Sequence, residues 1–192
     1  EDEFPEDVLE QLKSIPEYVK EEEYEGRTDL REEIIFTIDG DDTKDIDDAI
    51  SIEKLSNGNY KLGVHIADVS YYVKENTPLD EEAYKRGTSV YLANTVIPML
   101  PHQLSNGICS LNPNVDRLAI SCVMEIDSAG EVVEYDIFES VIKSNIQMTY
   151  KKVNAILEKN EIAEGYEPYV ESLHLMSELA DILRKNKEEK EV

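Results

Sequence analysis

Positive charge is scarce in this sequence. Nineteen Lys and Arg residues stand against 43 Asp and Glu residues, which gives a formal net charge of −24 over 192 residues. A surface that binds a polyanion needs basic residues, so the charge argues against nucleic acid as a partner of this chain's own surface. The net charge alone does not exclude a nucleic-acid substrate. An enzyme that uses bound cations needs acidic residues in its active site and can carry a basic surface on other domains.

Long apolar runs and cysteines are also scarce. No run approaches the ~20 residues of a membrane-spanning helix, and the acidic N-terminus does not fit a signal peptide. The two cysteines, Cys109 and Cys122, lack a metal-binding spacing, so we expect reduced thiols in a cytoplasmic protein, with no disulfide and no membrane partner. The first residue is not Met and the end is a charged Lys-Glu run, from which we expect an excised fragment.

Six aspartates fall within ten residues of the segment FTIDGDDTKDIDDAI: Asp39, Asp41, Asp42, Asp45, Asp47 and Asp48. Apolar residues flank the segment on both sides, which predicts an acidic loop between two buried strands. Carboxylates packed this closely repel one another and raise one another's pKa values, and a bound cation removes that penalty. Several Asp side chains in one loop suit Mg²⁺, with Mn²⁺ as an alternative.

Two other interpretations of the acidic loop are weaker. A solvated surface run is typical of acidic stretches, but the apolar flanks disfavour it here. A calcium loop of the EF-hand type requires Gly at its sixth position and Glu at its twelfth. Neither residue is found at those positions when the loop is counted from Asp39 or from Asp41.

A phosphatase is the sharper alternative. Residues 39–43 fit the D-x-D-x-T signature of haloacid-dehalogenase-like phosphatases, in which Asp39 would be the nucleophile and Asp41 the acid/base. An apolar residue normally follows the Thr of that signature, whereas Lys44 follows it here. This interpretation also leaves Asp45, Asp47 and Asp48 without a role.

The order of the predicted elements indicates an α+β fold: a mixed, largely antiparallel sheet with flanking helices. We expect a lead-in segment at residues 1–32, with a short helix over 5–13, and a main domain at 33–192. Strands are predicted over 33–38, around Ile50, over 60–67, and as a hairpin of 117–127 and 131–143. Helices are predicted over 77–87, over 149–158 with Thr149 as N-cap, and over 168–187.

Side-chain roles within these elements can also be predicted. In the hairpin, alternation places one set on the buried face: Leu118, Ile120, Cys122, Met124 and Ile126. His65 lies in a predicted strand, where a hydrogen-bonded histidine is more common than a metal ligand. Arg27 and Arg31 flank Asp29 and are expected to form surface ion pairs.

Four stretches of the sequence resemble, in order, the catalytic domain of the ribonuclease II/ribonuclease R exoribonucleases: TIDGDDTKDIDDA, YKLGVHIADVSYYV, RGTSVYLANTVIPMLP and LSNGICSLNP. The resemblance runs from about Ile15 to the end of the chain and is closest to the ribonuclease R branch. It implies the N-terminal portion of an RNB-like catalytic domain. The implied activity is processive, magnesium-dependent 3′→5′ hydrolysis of RNA, from a single-stranded 3′ end, to nucleoside 5′-monophosphates.

The resemblance also implies site residues. The four catalytic and metal-binding aspartates of the family fall on Asp39, Asp45, Asp47 and Asp48, which leaves Asp41 and Asp42 as bystanders. The tyrosine that stacks on the terminal base falls on Tyr91, and the tyrosine that contacts the nucleotide sugar falls on Tyr150. The sequence stops short of the family's further active-site arginine and glutamate and of its RNA-gripping modules, so we expect the fragment to be inactive alone.

The predicted helix over 168–187 carries an apolar stripe: Tyr169, Leu173, Met176, Leu179, Ala180 and Leu183. No obvious partner for this stripe is visible in the sequence. We therefore expect it to be exposed, or to be buried in a dimer of the fragment.

Overall fold

The computed structural model describes residues 4–74, 77–82 and 104–191. The strands are β1 Thr28–Asp29, β2 Phe36–Asp39, β3 Asp48–Lys54, β4 Tyr60–Ala67, β5 Asp116–Ile126, β6 Val132–Lys143 and β7 Ile146–Thr149. The helices are α1 Glu6–Lys13, α2 Val69–Tyr72, α3 Tyr150–Lys159 and α4 Val170–Lys190, with short helical turns at Glu21–Tyr24, Leu104–Ile108 and Glu167–Tyr169. Within these ranges no helix combines the length and the apolar character that crossing a bilayer requires.

The seven strands form one mixed sheet in the order β1-β6-β5-β4-β3-β2-β7. β1 pairs with β6 and β2 pairs with β7 in parallel, and all other neighbours in this sheet are antiparallel. The predicted α+β class is therefore confirmed. A doubly wound parallel sheet, which the phosphatase alternative requires, is not what this part of the chain forms.

Helix α4 packs on the sheet, so the expectation that its apolar stripe lacks a partner is wrong. Leu179 lies in a buried cluster with Tyr60, Leu62 and Ile126 of the sheet. Leu173 packs against Phe36 of β2 and other residues of that end of the sheet. The stripe finds its partner because alternate residues of β3, β4 and β5 present apolar side chains to the same side. The unpartnered stripe that suggested a dimer through this helix is therefore not observed.

The hairpin of β5 and β6 is confirmed, but its burial is not one-sided as predicted. Ala119 and Ser121, which were placed on the open face, are fully buried, whereas Ile120 and Cys122 are only half-buried. Leu118 packs in one cluster with α1, while its neighbour Ala119 packs in another. Both faces of the sheet are thus covered at this end, and alternation within one strand cannot reveal that.

Strand β7 was not predicted from the sequence. The chain leaves β6 at Lys143 and crosses to the far edge of the sheet, where β7 pairs with β2. Asn145 holds the crossing: the Ile35 amide donates to Asn145 Oδ1 at 2.8 Å, and the Asn145 amide donates to the Ile35 carbonyl at 2.7 Å. The crossing matters for the site because it brings Thr149, and Tyr150 after it, beside Asp39.

Arg27 is buried, which corrects its predicted role in a surface ion pair. Its Nη2 lies 2.6 Å from Asp68 Oδ2, and both side chains are at most 4% exposed. Its Nη1 donates to the carbonyls of Ala119 and Ser140 at 3.2 and 3.1 Å. A buried pair with this many hydrogen bonds attaches the segment before β1 to the middle of the sheet. Removal of one partner would leave the other charge buried and unpaired. Arg31, by contrast, forms the partly exposed pair with Asp29 that the sequence suggested.

His65 lies in a buried row of hydroxyl groups across the sheet. Its Nδ1 is 2.7 Å from Ser121 Oγ and its Nε2 is 3.0 Å from Ser51 Oγ. Ser121 Oγ in turn lies 2.7 Å from Ser140 Oγ. Gly63 leaves room for the ring, since a Cβ there would come within 2.8 Å of His65 Nε2. Both ring nitrogens are occupied by these contacts, which agrees with the prediction of a structural histidine.

We predict that burial of His65 makes the fold sensitive to mild acid. Desolvation lowers the pKa of His65 from 6.5 to about 4. His65 therefore binds a proton near pH 6.5 in the unfolded chain but only near pH 4 in the native state. Stability falls as the pH drops from about 6.5 to about 4, because the unfolded state binds more protons in that range. Above pH 6.5 the contribution of His65 to the free energy of unfolding does not change with pH. Below that pH, His65 lowers the free energy of unfolding by up to about 3 kcal/mol.

Urea unfolding between pH 4 and 7 measures this effect. The His65→Gln variant should lose the part of the pH dependence that His65 supplies, whereas a variant of the exposed His174, His174→Gln, should keep the slope of the parent chain. Parallel pH profiles for the parent and His65→Gln would contradict the assignment.

Candidate active site

The acidic loop lies between two neighbouring strands, as the sequence predicted. Asp39 is the last residue of β2 and Asp48 is the first residue of β3. These strands are antiparallel, with Phe36 opposite Ile50, so the end of one strand and the start of the next meet at the same edge of the sheet. The loop that joins them, residues 40–47, therefore keeps its carboxylates near both strand ends.

The four aspartates singled out by the resemblance influence one another electrostatically. The pKa of Asp39 is raised, first by desolvation and then by the charges of Asp48 and Asp45, against the effect of the Thr37 hydroxyl. The pKa of Asp47 is also raised, by desolvation and by Asp45, Asp48 and Asp39.

Asp41 and Asp42, the two remaining aspartates of the loop, contribute to neither shift. Exposure does not distinguish them, because Asp45, Asp47 and Asp48 are exposed as well. The same carboxylates that repel one another are the groups that a divalent cation would neutralise.

Asp39 carries an additional sign of a missing positive partner. Its Oδ2 is buried and makes no hydrogen bond of ordinary geometry, while the neighbouring Thr37 hydroxyl, which also lacks a partner of ordinary geometry, lies close enough to lower the pKa of Asp39. A buried carboxylate oxygen is normally hydrogen-bonded or bound to a metal. The described residues contain no ready-made cluster of three or more His, Cys, Asp or Glu ligands. The fit to a cation therefore rests on one buried oxygen without a hydrogen bond of ordinary geometry and on the acidic donor set around it, not on a formed metal cage.

Backbone contacts from distant parts of the chain hold the loop in place. The Gln147 side chain donates to the Thr43 carbonyl at 2.9 Å, the Ala67 amide donates to the Asp47 carbonyl at 3.0 Å, and the Ile46 side chain is only 1% exposed. Gln147 was not singled out from the sequence. A glutamine between two apolar residues is a weak signal, and its partner lies 104 residues away.

The remaining predicted site residues divide into described and undescribed positions. Tyr150 is the first residue of α3 and is 61% exposed. It follows Thr149, which pairs with Asp39 and caps α3 by accepting a hydrogen bond from the Lys152 amide. Tyr150 is therefore placed beside the acidic loop with a free ring. Tyr91 and residues 83–87 of the predicted helix over 77–87 lie outside the described residues, whereas residues 78–82 are helical as predicted.

Comparison with known proteins gives one consistent result. Residues 27–192 match the family model described as "RNB domain". Ribonuclease R of Thermotoga maritima is 58% identical over 182 residues, which cover 95% of this chain and 26% of that protein. Ribonuclease R of Escherichia coli is 47% identical over 188 residues, which cover 97% of this chain and 23% of that protein.

A solved structure agrees with these relatives. Mycoplasma genitalium RNase R, in complex with ribose-methylated single-stranded RNA, superposes with a TM-score of 0.83 at 30% identity, over 95% of this chain and 28% of that one. The chain thus spans about a quarter of the length of the relatives that it matches. The family match over residues 27–192, the curated relatives and the superposed structure agree, and the chain belongs to the RNB domain family.

Proposed function

We propose that this chain supplies the aspartate centre of a magnesium-dependent, processive 3′→5′ exoribonuclease that hydrolyses RNA to nucleoside 5′-monophosphates. The observation that carries the proposal is the buried Oδ2 of Asp39, which makes no hydrogen bond of ordinary geometry and belongs to a carboxylate whose pKa is raised by desolvation and by the charges of Asp48 and Asp45. The relatives named ribonuclease R and the RNA-bound structural neighbour support RNA as the substrate class.

Asp39, Asp45, Asp47 and Asp48 are the residues that would hold Mg²⁺, or Mn²⁺ in its place. When bound, the ion supplies polarisation of the scissile phosphate and activation of a water molecule. The chain's own part is to hold the carboxylates: β2 and β3 position Asp39 and Asp48 at the sheet edge, and the contacts of the loop keep Asp45 and Asp47 near them.

Two tyrosines are proposed to hold the 3′-terminal nucleotide of a single-stranded RNA. Tyr91 would stack on the base, a contact worth ~1–3 kcal/mol in single-strand binding. Tyr150 would contact the sugar, and its position after Thr149 places it beside Asp39. RNA would then be distinguished from DNA at the 2′-hydroxyl.

The substitution Asp48→Asn tests the reaction class. In the full-length enzyme, by which we mean a protein of the relatives' length that contains this chain, it should lower RNA hydrolysis by at least about a hundredfold, because the chemistry needs the charge that holds the metal. RNA affinity should change little, since most affinity for RNA comes from basic surfaces. Single-turnover hydrolysis and fluorescence anisotropy with single-stranded RNA measure the two effects separately.

The matched control is Asp42→Asn, which removes the same charge from an exposed position of the same loop. It should retain near-normal hydrolysis. Equal loss of binding and hydrolysis in Asp48→Asn, or equal loss of hydrolysis in both variants, would count against the proposal.

The substitution Asp39→Asn tests the metal through stability. Without divalent ions the variant should be more stable than the parent, because it removes a desolvated charge that its neighbours repel, although water screens part of the repulsion. Mg²⁺ should stabilise the parent chain by binding to its native state, and should stabilise the variant much less. Urea unfolding in EDTA and in Mg²⁺ measures both, and an equal Mg²⁺ response would contradict the assignment.

A third prediction concerns RNA encounter by these 192 residues alone. A net charge of −24 repels RNA over the screening length, and the repulsion is strongest at low salt. Release of nucleoside monophosphates from labelled single-stranded RNA in Mg²⁺ should therefore be far below that of the full-length enzyme. A comparable rate would show that no further basic surface is needed.

A further inference from the structure

We propose that Ser110 is a positioning residue of the aspartate centre, and that its hydroxyl fixes the backbone on both sides of Asp45. The inference rests on the proposed function and adds to it a residue outside the acidic loop. Ser110 touches neither substrate nor cation in this role; it acts through the loop. It lies in the segment LSNGICSLNP, residues 104–113, which the site described above does not otherwise use.

The contacts of Ser110 bracket Asp45. The Ile46 amide donates to Ser110 Oγ at 2.9 Å, and the same Oγ lies 2.9 Å from the Lys44 carbonyl. One fully buried hydroxyl therefore contacts the residue before Asp45 and the residue after it. A second link reinforces the first, because the Leu111 amide donates to the Ile46 carbonyl at 2.9 Å.

Ser110 is itself held firmly. Its amide donates to the Gly107 carbonyl at 2.8 Å, and its carbonyl accepts from Nε of the buried Arg117 at 2.9 Å. Its Oγ also lies 2.9 Å from Asn112 Oδ1. The hydroxyl has one hydrogen, so it accepts from Ile46 and donates either to Lys44 or to Asn112. The loop is therefore attached to a rigid support.

The acidic loop needs such a support because its carboxylates repel one another. In the absence of a cation, repulsion favours a wider loop, and a cation site requires the carboxylates to remain close. Ligands that are held in place bind a metal more tightly than ligands that must first be brought together. The buried Ile46 side chain anchors the loop at one point, and Ser110 restrains the two peptide groups around Asp45.

The test compares Ser110→Ala with Ser140→Ala in the 192-residue chain. Ser140 is a matched control, because it is equally buried and its hydroxyl is hydrogen-bonded within the sheet, to Ser121 and to the Ala119 carbonyl. Both variants should lose stability to a similar extent. Only Ser110→Ala should also weaken Mg²⁺ and Mn²⁺ binding in calorimetry, by about 10–100-fold, and speed hydrogen exchange of the Ile46 amide in the metal-free chain.

A steady-state measurement in the full-length enzyme gives a second readout. Ser110→Ala should lower kcat at limiting Mg²⁺, leave the KM for RNA unchanged, and recover part of its kcat at saturating Mg²⁺. If Ser110→Ala does not fold, Ser110→Cys replaces it, since a thiol of similar size is a weaker hydrogen-bonding group and should give the same pattern to a smaller degree.

The outcomes separate the inference from the proposed function. Equal metal affinities for Ser110→Ala and Ser140→Ala, in a chain that binds Mg²⁺, would overturn the positioning role and leave the proposed function intact. Absence of Mg²⁺ binding in the parent chain, together with full activity of Asp48→Asn in the full-length enzyme, would overturn both.

Discussion

Repulsion among carboxylates is the constraint on which the rest of this structure depends. Asp39, Asp45, Asp47 and Asp48 lie on one short connection, and the pKa values of Asp39 and Asp47 are raised because desolvation and like charges act together. A loop of this kind would spread in water if only its own chain held it. Its position is set by two strands, a buried Ile46 side chain and hydrogen bonds from distant segments.

The sheet topology supplies those distant segments. The crossing from β6 to the far edge brings β7 alongside β2. It also brings the side chain of Gln147 to the loop, where its Nε2 donates to the Thr43 carbonyl. The segment after the Leu104–Ile108 turn reaches the other side of the loop through Ser110. The parallel pairing of β2 with β7 is therefore directly connected to the site, because a parallel pairing joins segments that are far apart in the sequence.

A second polar assembly stabilises the sheet away from the acidic loop. The Arg27–Asp68 pair and the row from Ser51 through His65 to Ser140 both lie across the central strands. They share the Ser140 residue, whose carbonyl accepts from Arg27 and whose hydroxyl contacts Ser121. Fully satisfied polar groups of this kind specify one register of the strands, since a shift by one residue would leave them unpaired.

The acidic loop, its place between two strands, the β5–β6 hairpin, the Thr149 cap and the family can all be predicted from the sequence alone, because local periodicity and short contiguous motifs carry those signals. Four features become visible only in the folded chain: the segments that hold the loop, the covering of both faces of β5 at one end, the burial of Arg27, and the packing of α4 on the sheet. Each of these depends on contacts between residues far apart in the sequence. Alternation and spacing describe one element at a time, and they do not state which elements meet.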